Sequence, residues 1–238
     1  MREMTTKAAL ILGVSLIVGL GVLGYLVQQT AIQYKALDRI VTVKGLSERE
    51  YPADTVIWPI RFTVASNDIQ DLFTKVDTQS TLITDFLNER ELADSVQWSA
   101  PAVIDKKAQQ YGGEANAEYR YLAIQTITVY SNKVDSVRQA ISLIGQLGKK
   151  GIVFNQDSYD NPIVYSFTRL NEIKPEMIEE ATHNAREVAE KFAKDSNSSL
   201  GKIRTASQGQ FSIMDRDHNT PHIKRIRVVS TVQYYLSD

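Results

Sequence analysis

Residues 55–64, TVIWPIRFTV, alternate along their length: Val56, Trp58, Ile60, Phe62 and Val64 fall on one side of an extended chain, with Thr55, Pro59, Arg61 and Thr63 on the other. A strand with one apolar face needs a layer to bury it. Pro59 has no N–H to give to a ladder, so it marks an edge strand or a bulge. Upstream, IVTVKGL (40–46) reads as a strand and SEREYPAD (47–54) as the turn region between the two. Downstream, Asn67 is the expected N-cap of a helix, with Gln70 three residues on. Ile69, Leu72, Phe73, Val76, Ile83, Phe86 and Leu87 form its apolar stripe.

The switch between period two and period 3.6 repeats along the chain. An extended segment, SVQWSAPAVI, leads to a polar loop with a Gly112-Gly113 turn and then to the long strand YRYLAIQTITVY. Ser131 or Asn132 is expected to cap a second helix with Val134, Val137, Ile141, Ile144 and Leu147 inward and Gly148 as its C′ glycine. Two strands follow, GIVFN and PIVYSFTRL. A third helix is expected to open with Pro175 in its first turn, to bury Ile178, Ala181, Ala185, Val188, Ala189 and Phe192, and to pair Glu187 with Lys191 and Glu190 with Lys194. KIRTASQGQFSI and HIKRIRVVSTVQYYL, joined by the loop MDRDHNTP, end the chain. This strand-strand-helix order predicts an α+β fold: antiparallel sheets built from β-β-α units with helices packed on one face.

A different solvent is written into residues 8–27, AALILGVSLIVGLGVLGYLV, where Ser15 and the Tyr25 hydroxyl are the only polar side-chain groups. As a helix this run reaches about 30 Å, the thickness of a hydrocarbon core. It is longer than a usual cleaved signal core and no Ala-x-Ala follows it, which predicts an uncleaved signal anchor. Arg2 and Lys7 precede it, whereas the first basic residue after it is Lys35. Positive-inside bias then puts residues 1–7 in the cytoplasm and residues 38–238 outside the inner membrane, in a periplasm where there is one, with residues 28–37 as a stalk. With no cysteine, acylation of a lipoprotein cysteine is ruled out by chemistry. The 27 basic and 28 acidic residues form no basic block, so nucleic acid is not an expected partner.

Two stretches resemble the SIMPL domain family. RIVTVKGLSEREYPADTVIWPIRFTV is similar to that family's first hairpin, with Val43, Gly45, Pro52 and Asp54 in its marked places. EEATHNAREVAEKFAKDSNSSLGKIRTASQGQ is similar to its alanine-spaced helix and Leu-Gly exit, through Ala181, Ala185, Arg186, Ala189, Glu190, Ala193, Leu200 and Gly201. The resemblance spans residues 39–236. Asn197-Ser198-Ser199 stands where a glycine is common, and Trp58-Pro59 interrupts a strand that is usually more regular. The resemblance implies an envelope-associated α+β domain without recognised catalytic residues, with relatives linked to oxidative-stress defence and some forming large oligomers.

For chemistry, the densest cluster is Asp215, Asp217, His218 and His222, which could supply metal ligands but has no known ligand spacing and sits where turn chemistry also explains Asp, Asn and Pro. His183 stands four residues after Glu179, a possible pair. Arg225 and Arg227 are expected to share the outer face of the last strand beside Lys224. Tyr111, Tyr119, Tyr121, Tyr130, Tyr159, Tyr165, Tyr234 and Tyr235 offer interface or core surface. The cysteine nucleophile and the Gly-x-Ser-x-Gly elbow are absent from the sequence. The expectation is therefore a membrane-tethered structural or interaction module, homo-oligomeric or partnered with envelope proteins, with no assigned catalytic, metal or cofactor residue. The alternative is a metal- or small-ligand-binding domain centred on Asp215–His222.

Overall fold

The structure, a computed structural model, describes residues 2–36, 39–108, 118–155 and 161–237. The Gly112-Gly113 turn, Tyr111 and Tyr159 lie outside the described residues. The first helix, α1 (Arg2–Ala36), runs through the apolar segment and on through most of the proposed stalk; its stretch Leu10–Thr30 is long and apolar enough to cross a membrane and is unburied.

The chain folds as two compact units, the first made of Met1–Glu48, which includes α1, Lys174–Phe211 and Arg227–Asp238, the second of Arg49–Ile173 and Ser212–Ile226. Their elements are β1 (Ile40–Pro52), β2 (Thr55–Ser66), α2 (Ile69–Asn88), β3 (Val96–Trp98), β4 (Ala102–Asp105), β5 (Tyr121–Ser131), α3 (Val134–Leu143), the short turn α4 (Gly145–Gly148), β6 (Val153–Phe154), β7 (Val164–Ser166), α5 (Leu170–Asp195), β8 (Ser199–Gln208), β9 (Ser212–Asp215) and β10 (Ile223–Ser237). The β-β-α order and the antiparallel sheets agree with the sequence reading. The expected first hairpin does not form. SEREYP continues β1, only Ala53-Asp54 turn, and β1 and β2 enter different sheets, β1 against β10 and β2 against β5.

In the second unit, β2 and β5 pair over eleven residues from Val56↔Ser131 to Ser66↔Tyr121, and each has a divided outer edge. β3 and β4 share the free side of β5, and β6 and β7 share that of β2. Val56, Trp58, Ile60, Phe62 and Val64 are buried together with Leu72, Val76, Ile83, Phe86 and Leu87 of α2 and Val137 and Ala140 of α3. The cap of α2 is Asp68, whose carboxylate accepts from the Gln70 and Asp71 amides. Asn67 instead accepts the Arg120 N–H. That places Ile69 and Phe73 off the buried stripe, both exposed. No side chain caps α3, and the glycine with positive φ is Gly151, at 87°, rather than Gly148.

In the first unit, α5 lies on the sheet β1-β10-β8 through Met177, Ala181, Ala185, Ala189 and Ala193, an uninterrupted i, i+4 row. The helix begins at Leu170, a turn earlier than expected, so Pro175 stands inside it. The one-stripe burial turns Val188 (37% exposed) and Phe192 (55%) away from the core, contrary to the reading from spacing. Arg186 pairs with Glu190 at 3.0 Å, and His183 faces Glu187 at 3.7 Å rather than Glu179.

Candidate functional site

Gly45 explains why the two motif stretches belong together. A β-carbon on Gly45 would overlap the Ala181 carbonyl and the Ala185 amide, so α5 touches β1 backbone to backbone. Around this contact Ser47 donates to Glu180 at 2.8 Å and Asn184 donates to the Leu46 carbonyl at 2.9 Å. At the end of α5, Asn197 has φ 52° and Ser198 N–H returns to the Ala193 carbonyl at 2.8 Å. Asparagine tolerates the left-handed conformation better than other non-glycine residues, which accounts for its standing where a glycine is common.

Asp54 is a second organising residue. It accepts from Thr55 Oγ1, from Thr168 N and Oγ1 and from Arg169 N, and its carboxylate faces the Arg169 guanidinium at 3.5 Å. Burial pushes this carboxyl up, but the Thr168, Thr55 and Arg169 hydrogen bonds outweigh it and hold it below its ordinary value. These bonds tie the β1–β2 turn to the segment entering α5.

The hairpin between β9 and β10 gathers the acids and histidines of the 215–222 loop, but it uses them locally. Asp217 accepts from the Thr220 hydroxyl, the Arg216 guanidinium and the Asn219 and Thr220 amides, which drive its carboxyl far below the usual range. Asp215 pairs with Lys224, which is only 7% exposed. The His222 ring meets Tyr165 edge-on at 6.1 Å; burial lowers its pKa, as do the charges of Arg138 and Arg216. Among the described residues no three His, Asp or Glu side chains gather as metal ligands would. Arg227 reaches Glu48 at 3.9 Å, so the basic tract is divided between two different acid partners.

A more open surface lies along β8. Its residues are exposed from 201 to 208, and a groove of about 600 Å³ runs between it and α5, walled by Thr182, His183 and Arg186 on one side and Lys202 and Ile203 on the other, with buried Tyr234 among its lining. Gly209 N–H donates to the Val229 carbonyl, so by alternation Thr205 and Ser207 also face β10, while Ala206 and Gln208 turn their N–H and C=O groups outward. Register shifts opposite Gln233–Leu236 bulge the first half of the strand. Lys202 and Arg204 stand there without an acid partner among the described residues. Of β8 the sequence reading singled out only Leu200 and Gly201, for the family motif, and none of residues 202–208. Their charge was visible, but edge status belongs to the topology.

Two sheet-bearing α+β units, their motif residues engaged in packing and turn formation, accompany an N-terminal helix capable of crossing a membrane. The chain belongs to the SIMPL family: that family's model, described as a protein of unknown function (DUF541), matches residues 41–233. No curated protein matches the chain.

Proposed function

We propose that the protein is a membrane-tethered interaction module without catalytic activity of its own. In this reading α1 stays uncleaved in the inner membrane, residues 1–7 face the cytoplasm, and the two units work on the outer, periplasmic side. There the chain assembles with copies of itself or with envelope proteins, in the stress-defence setting that the resemblance implies. The observation that supports this reading is the regular, uncharged half of β8, residues 205–208, with outward donors and acceptors and, among the described residues, no strand beyond it. Protein edges are usually blunted by charge, proline or a bulge, and this half carries none of them.

The test is the mass of the full chain in lipid nanodiscs and detergent, together with crosslinking in intact cells. Discrete oligomers, or a recurrent crosslinked partner, are expected. A strict monomer at high concentration with no crosslinked product would overturn the proposal.

A further inference from the structure

The order β1-β10-β8 places β1 and β8 at the two ends of their sheet, and the two strands differ in charge. β1 carries Lys44, Glu48, Arg49 and Glu50 and closes on Pro52, and its Leu46 carbonyl already accepts from Asn184 Nδ2 at 2.9 Å. β8 keeps its charges, Lys202 and Arg204, in the bulged half and has none from Thr205 to Gln208. Residues 201–210 are exposed throughout. Among the described residues, one end of the sheet is therefore blunted and the other is left able to pair.

The regular half of β8 is complementary to itself. Cross-strand neighbours share a sheet face, so Ala206 and Gln208, opposite Val232 and Ser230, stand on the α5 side, and Thr205 and Ser207, opposite Gln233 and Thr231, on the other. An antiparallel partner with Ser207 opposite its own copy sets the outward main-chain groups of Ala206 against those of Gln208 in the second chain, and the reverse. Each of these pairs exchanges two N–H···O bonds. Centring on Ala206 instead would match Gln208 to the bulged Arg204. With Ser207 at the centre, the two serine side chains meet at the close, non-hydrogen-bonded position. The Thr205 hydroxyl is taken by Gln233 at 3.0 Å, whereas that of Ser207 has no bond among the described residues. Charge selects the same direction: antiparallel pairing holds the two Arg204 about 20 Å apart along the strands, beyond a Debye length of about 8 Å. A parallel partner in register would stack Lys202 on Lys202 and Arg204 on Arg204. We infer that β8 pairs antiparallel with β8 of a second copy about a two-fold axis at Ser207, a contact that presupposes the self-assembly proposed above.

The sequence contains no cysteine, so single cysteines can be placed in the full chain one at a time and oxidised in proteoliposomes. Ser207→Cys should give a disulfide-linked dimer, since non-hydrogen-bonded antiparallel neighbours lie about 4.5 Å apart at Cα. Thr205→Cys, whose own copy would lie about 13 Å further along the ladder, should not. Ser207→Lys and Ser207→Glu, both on the exposed side, should each weaken the dimer about fivefold without lowering the melting temperature, because they set like charges opposite each other. Reconstituting the two variants together should restore it. Oligomers that persist without a Ser207→Cys link, equal linkage by Thr205→Cys and Ser207→Cys, or no recovery in the mixed membrane would each overturn this pairing and leave self-assembly standing. A strict monomer would overturn both.

Discussion

Gly45 and Ala185 stand in backbone contact: a β-carbon added to Gly45 would lie 2.9 Å from the Ala185 methyl and overlap the helix main chain itself. Backbone cannot move aside as a flexible side chain can. Gly45→Ala is therefore expected to destabilise the first unit by about 3 kcal/mol, the upper part of the range for overpacking. Chemical denaturation read by circular dichroism checks this, with Thr42→Ala on the exposed side of the same strand as a control.

Asp54 predicts a second effect, with a defined pH sense. Asp54→Ala should cost about 1–2 kcal/mol, as loss of a carboxylate that accepts main-chain N–H groups does. Because the folded carboxyl titrates below its ordinary value, its contribution is fully present above about pH 4 and is lost as pH falls through the lowered value. The difference in stability between wild type and Asp54→Asn should shrink below pH 4.

His222 carries a dependence in a higher window. Its folded pKa lies below the ordinary value of about 6.5, so the unfolded chain takes up the proton first and stability declines as pH drops below that value. His222→Phe, which keeps a ring against Tyr165, should flatten the change between pH 6.5 and 5. Thermal melts across that range decide it.

The open half of β8 gives a prediction about assembly rather than folding. Ala206 presents its N–H away from β10, so Ala206→Pro leaves the β8–β10 ladder intact while removing an outward donor. The variant should keep most of its melting temperature and lose oligomers. Unchanged oligomer mass would show that this edge is not the contact.

Removal of α1 should likewise weaken assembly more than folding, since a tether raises the local concentration of neighbours. Oligomer size and melting temperature, each measured with and without residues 1–36, separate the two effects.

Strand and helix types were legible from local periodicity, because one buried face leaves the same signature in any context. Partner choice was not. Nothing in IVTVKGL or TVIWPIRFTV says that these neighbours enter different sheets, since pairing is decided by β10, over 150 residues away in the chain. Val188 and Phe192 misled for a related reason: an alanine row narrow enough to meet backbone buries only one residue per turn, so large apolar groups beside it stay outside. The composition of the 215–222 loop was legible as turn chemistry, and Asp217 satisfies the local amides as such chemistry requires.

Pro59 also bears on how the chain fails. A strand pairing along the centre of β2 would find no donor at Pro59, so this stretch of β2 is a poor template for amyloid-like growth. Residues 205–208 have no such gatekeeper. Heat- or acid-induced aggregates of this protein should accordingly carry their protease-resistant core around β8 and leave β2 open to cleavage.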